Sequence, residues 1–272
     1  MHSQQNKFVI VTPSYNNENW VETYFDSINC QTYTNYKVIY VNDASTDNTD
    51  NEIISRVKGN DKFIYIKNIV NKGAAKNYTD SFNQFCEDDD IIVNLDGDDW
   101  FATPNVLEKL NDVYIKYDYW ITYGKMVVYT EDRIGDAHPQ NTPYNLFVHT
   151  HQFYRRDLWR ASHLRTFKKF LFKMIDKKDH VSKIDNNLYW HGHDLSMMYP
   201  MIEMTPVEKI GVIQFPTYVY NASNTNALRT KEREKSDNNR YEMEIRNKKT
   251  YVRVDSREQL KYGVKLPQVN VI

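Results

Sequence analysis

Asp96-Gly97-Asp98-Asp99 is the segment best equipped for chemistry. It directly follows the apolar run 91–95 (IIVNL), so its carboxylates stand at the end of a buried strand. Two carboxylates separated by one residue can converge on a hard divalent cation. Mg2+ and Mn2+ take oxygen ligands and are commonly held by one or two carboxylates plus substrate phosphates. The plain alternative is a solvated acidic turn. Asp43, in NDASTDNT, follows a second apolar run. It could accept a charge-assisted hydrogen bond from a ligand N–H, or it could cap the local turn. His191-Gly192-His193-Asp194 has two imidazoles and a carboxylate in four residues. The spacing fails the H-x-H-x-D-H metal pattern, because Asp follows the second His at once and Leu195 and Ser196 come next.

These groups need elements to hold them. Residues 8–12 (FVIVT), 37–41 (KVIYV), 63–66 and 91–95 are short apolar runs, the signature of strands buried on both faces. Between them lie helical patterns at 20–29, 50–58 and 71–85. Strand and helix in alternation predict βαβ units and a mostly parallel sheet. Ligands in such sheets sit beyond the carboxyl ends of the strands, where the polar clusters 13–17, 42–47 and 96–99 fall. After residue 120 the pattern predicts a strand or hairpin arm at 120–129 and a loop at 132–144. A basic amphipathic helix follows at 164–178, then a Met-rich helix at 195–204, a short strand at 218–220 and a charged helix at 229–249. In the 164–178 helix, Leu164, Phe167, Leu171, Met174 and Ile175 form one stripe, with a set of lysines and Arg165 mostly off it. That face could be a packed surface or a peripheral contact with an anionic membrane. Arg155 and Arg156 could meet an anion or mark a helix entry.

Composition removes several classes. Thirty-five Lys and Arg against 36 Asp and Glu give a net charge of −1, which argues against a duplex-DNA binder. The glycine spacing excludes the G-x-G-x-x-G and Walker loops. No apolar run approaches a membrane span, and residues 1–6 are polar, without a signal-peptide core. The expected location is cytoplasmic, soluble or peripheral to a membrane. Cys30 and Cys86 read as buried free thiols of a reducing compartment. Heavy use of Asn, Lys and Tyr fits an A+T-rich genome, such as that of a large virus.

VIVTPSYNN, YVNDASTDNT, NKGAAKN and VNLDGDDW, in that order and spacing, resemble the family 2 glycosyltransferases of GT-A fold across residues 8–105. The resemblance implies a Rossmann-like, mostly parallel sheet flanked by helices, a smaller acceptor-side region and a C-terminal helical extension. It implies that Thr12, Pro13 and Tyr15 line the base of a nucleotide sugar and that Asp43 binds the base, usually uracil. Lys72 and Lys76 would lie near the diphosphate or sugar, Asp96 near ribose or sugar hydroxyls, and Asp98 on Mn2+ or Mg2+. The third motif is shorter than is usual in the family. In the family an acidic pair often opens a late helix; here Asp194 matches the base and His193 replaces the neighbouring Glu. An Asp with a pKa of about 3.9 is ionised at pH 7 and can take a proton from a hydroxyl. A helix N-cap fits the same position.

The resulting expectation is a metal-dependent, inverting glycosyltransferase moving a sugar from a UDP-sugar to a glycan, glycoprotein or lipid-linked acceptor. Residues 1–228 would form the catalytic domain, with a nucleotide half to residue 100 and an acceptor half from 101, and 229–272 a charged extension. Rival readings are a nucleotidyltransferase, which would carry a Gly- and Arg-rich phosphate loop near the N-terminus, and an inactive scaffold of the same fold, which would have lost a site carboxylate.

Overall fold

The computed structural model describes residues 5–130, 133–137, 140–224 and 232–261. The first half runs β1 (Phe8–Ser14), α1 (Val21–Asn29), β2 (Tyr36–Asn42), α2 (Thr49–Val57), β3 (Phe63–Lys67), α3 (Ala74–Phe85) and β4 (Ile91–Asn94). β1 pairs in parallel with both β2 and β4, and β2 with β3. Every residue of β1 and β4 is buried. Alternate side chains explain why: Val9, Val11, Ile39 and Ile92 meet Tyr78 and Phe82 of α3 on one face. Phe8, Ile10, Val38 and Ile91 meet Val21, Tyr24 and Phe25 of α1 on the other. A strand covered on both faces must be apolar at nearly every position.

The chain continues through β5 (Trp100–Phe101), α4 (Val106–Tyr117), β6 (Ile121–Tyr123), β7 (Met126–Thr130), β8 (Arg133–Ala137) and α5 (Leu146–His151). Then come β9 (Arg165–Lys168), α6 (Lys169–Lys173), α7 (His193–Met204), β10 (Ile210–Val212), β11 (Tyr218–Asn221), α8 (Glu232–Arg246) and α9 (Arg257–Lys261). The main sheet has the order β10-β6-β9-β4-β1-β2-β3, with β9 antiparallel to both neighbours. A second sheet has the order β5-β11-β7-β8. The main sheet therefore takes strands from both halves of the chain.

Three expectations change. Residues 120–129 are two strands in two sheets, parted at Gly124, whose φ of +82° suits a residue without a Cβ. The loop expected at 132–144 contains β8. Residues 164–178 are not one helix: β9 occupies 165–168 and only a short α6 follows. Arg165, Thr166 and Phe167 are all buried between β4 and β6, as an inner strand requires. Lys168 pairs with Asp118, and Lys169 and Lys173 pair with Asp88. The amphipathic helix on which a membrane contact rested does not form.

Cys86 is buried and Cys30 exposed, so only one of the two thiols lies where expected. The Met-rich helix is α7, with Met197, Met201 and Met204 in the core. Arg155 is tied up in that core: Nε and Nη2 donate to Glu203 at 2.6 and 2.9 Å, and Nη1 donates to the Ile245 carbonyl of α8. It joins α8 to α7, and with Arg156 it borders a cavity of about 510 Å3 apart from the cleft at the strand ends. Ile245 is fully buried, so the C-terminal part packs into the body of the protein. Residues 225–231 and 262–272 of the expected charged extension and its approach lie outside the described residues. Among described residues no helix is long and apolar enough to cross a membrane.

Candidate active site

The strand order turns back at β1, with β2 on one side and β4 on the other. Open α/β sheets bind ligands in the crevice at such a point, beyond the strand carboxyl ends. Here a cleft of about 470 Å3 is bounded by Tyr15, Asp43, Asp96, Asp98, Trp190 and His193, among others.

The 96–99 turn divides its labour. The Tyr78 hydroxyl donates to Asp96 Oδ1 at 2.7 Å, and the Asn224 amide donates to Asp98 Oδ2 at 2.8 Å. Asp99 points inward, where it accepts from the Tyr218 hydroxyl and, at 2.7 Å, from the Asn221 backbone N–H. Asp99 thus pins the turn to β11 and leaves Asp96 and Asp98 to the cleft. Burial, then the charge of Asp96, pushes the Asp98 carboxyl up to about 6, although the Asn224 bond opposes this. Burial, then Asp98 and Asp96, holds Asp99 well above the usual carboxylate range. Two carboxylates crowded on one turn, with Arg165 the buried cation near Asp96, are a donor set that fits a hard cation. Among described residues no three His, Cys, Asp or Glu side chains are grouped to hold a metal. A cation held by Asp96 and Asp98 would take its other ligands from substrate phosphates and water.

Gly97 sets the spacing of the pair. A Cβ there would stand 2.5 Å from Ser14 Cβ and 2.6 Å from Ser14 Oγ, inside contact distance. Gly97→Ala is expected to destabilise the fold by about 1–3 kcal/mol, the usual cost of overpacking. A urea midpoint equal to wild type would show that the turn is not held against β1.

Asp43 is buried and takes no hydrogen bond from its own turn; there Asn42 does, its Oδ1 accepting from Ser45 N–H three residues on. Asp43 instead accepts from Asn68 Nδ2 at 2.7 Å, Lys72 N–H at 2.9 Å and Gly73 N–H at 2.8 Å. It shapes the 68–73 loop and still borders the cleft. Pro13 and Tyr15 border it too, and Tyr15 is 45% exposed. Thr12 does not: it is fully buried, with its hydroxyl 2.7 Å from that of Tyr24. Lys72 meets Asp43 through its backbone, and the Lys72 and Lys76 side chains border a different cavity of about 700 Å3. Lys76 is paired with Asp80 one turn along α3. Trp190 borders both cavities and covers Gly73, where a Cβ would come within 2.7 Å of its ring.

Asp194 lies in the first turn of α7, and Gly192, at φ +71°, is the N-cap. The N-cap reading of Asp194 is thereby corrected. Its Oδ2 accepts from Arg165 Nη1 at 2.8 Å. The neighbouring His193 borders the cleft and stacks on Tyr78 with ring centroids 5.7 Å apart. Burial chiefly lowers the His193 pKa from its ordinary value; the Asp194 charge opposes this and the Arg165 charge adds to it.

Sequence reasoning missed Arg165, Tyr78, Asn224 and Trp190. Tyr78 adjoins the NKGAAKN motif, and Asn224 follows the expected strand 218–220, so both had a positional signal. Arg165 had none, because a helical period hid the strand.

The glycosyl transferase family 2 model matches residues 9–179. Glycosyltransferase GlyA of Streptococcus pneumoniae serotype 4 (strain ATCC BAA-334 / TIGR4) is 27% identical over 150 residues. That alignment covers 52% of this chain and 21% of the relative, so the chain spans about a fifth of the relative's length. Among solved structures, S. aureus TarS superposes with a TM-score of 0.59 at 18% identity, covering 80% of this chain and 37% of TarS. TarS 1–349 in complex with UDP-GlcNAc superposes with a TM-score of 0.57 at 16% identity, covering 79% and 58%. These likenesses support the GT-A fold. With a family match across more than half its length and carboxylates at the sheet's turning point, the chain belongs to glycosyl transferase family 2.

Proposed function

We propose that this protein transfers a sugar from a UDP-sugar to an acceptor hydroxyl with inversion, with Asp194 as general base and Asp96 and Asp98 as the holders of Mn2+ or Mg2+. The observation that carries the reading is the meeting of Tyr15, Asp43, Asp96 and Asp98 in one cleft at the turning point of the sheet. The exposed Tyr15 ring offers a stacking face for a base, and Asp43 offers a carboxylate for an imide N–H. When bound, the cation supplies positive charge to the leaving diphosphate.

The acceptor oxygen attacks the anomeric carbon while the bond from that carbon to the diphosphate oxygen breaks. Asp194 takes the acceptor proton. Oδ2 is engaged by Arg165, and Oδ1 accepts no hydrogen bond from a described residue, which makes it the oxygen for that proton. Burial disfavours positive charge on the neighbouring His193 ring. The acceptor is a glycan, glycoprotein or lipid-linked sugar.

The test is release of UDP from a panel of UDP-sugars, UDP-GlcNAc first, with NMR of the product's anomeric proton. Inverted product supports the reading. Retained configuration contradicts it, and donor binding without UDP release favours the inactive scaffold.

A further inference from the structure

Arg165 is out of place for an ordinary arginine. It lies on β9, an inner strand of the main sheet, paired with Asn94 at the end of β4, and its side chain is 2% exposed. Burial alone works against its charge; Asp194, then Asp96, more than offset that. Nη1 donates to Asp194 Oδ2 at 2.8 Å, Nη2 lies 3.1 Å from the His163 ring, and Nε has no acceptor among described residues. A buried ion pair with an unmet donor is poor stabilisation, because desolvating both charges costs more than one bond returns.

The partners of Arg165 show what the cost supports. The His163 ring stacks on Tyr218 with centroids 4.6 Å apart, and the Tyr218 hydroxyl donates to Asp99. One buried cation therefore links the Asp194 carboxylate to the turn that presents Asp96 and Asp98.

We propose that Arg165 is a positioning residue for transfer: its rigid guanidinium fixes the Asp194 carboxylate relative to the 96–99 turn. The inference rests on the reading of Asp194 as base. A planar fork suits this task because its donors are fixed relative to one another, whereas a lysine offers rotatable donors on a flexible stem. Asp194 stands in the first turn of a helix with a glycine N-cap and accepts from no other described residue. Without Arg165 its carboxylate is free to turn, and a displacement of about 1 Å can cost roughly a hundredfold in rate.

The experiment is a double-mutant cycle read by UDP release from a UDP-sugar with water as acceptor, together with melting temperature. Arg165→Met is expected to lower kcat about a hundredfold while the donor KM stays within about twofold. In the Arg165→Met/Asp194→Asn variant, kcat should equal that of Asp194→Asn alone, because both changes remove one function. That double variant should also melt above either single variant, since the pair leaves together. If Arg165→Met does not fold, the comparison of the double variant with Asp194→Asn still decides the matter. An unchanged kcat in Arg165→Met, or losses that multiply in the double variant, overturns the inference. An Asp194→Asn variant with full turnover overturns the base reading and this inference with it, whereas multiplying losses leave the base reading standing.

Discussion

Asp98→Ala is expected to abolish sugar transfer while leaving the metal-free protein at least as stable as wild type. The two effects share one cause. Asp98 is a buried carboxylate beside Asp96, and one amide from Asn224 is its side-chain partner. In the absence of a cation, folding brings the two charges together and removes water from one of them. Alanine relieves both costs. In the proposed reaction that crowding is put to use, because the pair is what the cleft would offer to a hard cation. The loss of transfer should exceed about a hundredfold, the effect of deleting a single electrostatic stabiliser elsewhere. Melting without divalent ions and UDP release with Mn2+ check the two halves separately. A variant that keeps full transfer would move the cation site away from Asp98. One that loses transfer by unfolding would show that Asp98 is structural, as Asp99 is.

Asp194→Asn should behave in the opposite sense and lose both rate and stability. The amide cannot take a proton, so turnover should fall by about 10²–10⁴, the range for a positioned base. It also leaves the Arg165 guanidinium buried without a counter-charge. Removing one partner of a fully buried pair costs about 3–5 kcal/mol. Asp194 is 23% exposed against 2% for Arg165, so water covers part of the loss and the lower end of that range applies. Donor KM should be unchanged, because Asp194 does not border the nucleotide cleft. Chemical unfolding and steady-state kinetics on the same preparation read both. Undiminished kcat would remove Asp194 from the chemistry whatever its stability did.

The parts of this protein legible in the sequence are those where one local rule governs. β1, β2 and β4 are covered by helices on both faces, so their residues had to be apolar at nearly every position, and the runs 8–12, 37–41 and 91–95 showed it. The polar breaks that follow them had to face the ligand crevice, and Tyr15, Asp43, Asp96 and Asp98 do. β9 obeys no local rule. It is an inner antiparallel strand whose Arg165 is paid for by a carboxylate 29 positions later, and its apolar residues happen to continue into α6 at helical spacing. The same non-locality hid Trp190, which reaches the cleft from the far half of the chain. Thr12 and the two lysines show a different limit. Their backbone lies on cleft-forming segments, but side-chain direction is set by the fold: Thr12 turns to Tyr24, and Lys76 to Asp80.

The central claim, that the β1–β4 crevice is a cation-assisted nucleotide-sugar site, is tested most directly by thermal shift with UDP. Wild type and Asp43→Ala would be compared with and without Mn2+. A ligand at 100 times its dissociation constant adds about 2.7 kcal/mol of stability, a shift that is easily read. The expected result is a large Mn2+-dependent shift in wild type and a much smaller one in Asp43→Ala at the same concentrations. No shift in wild type under either condition would contradict the claim.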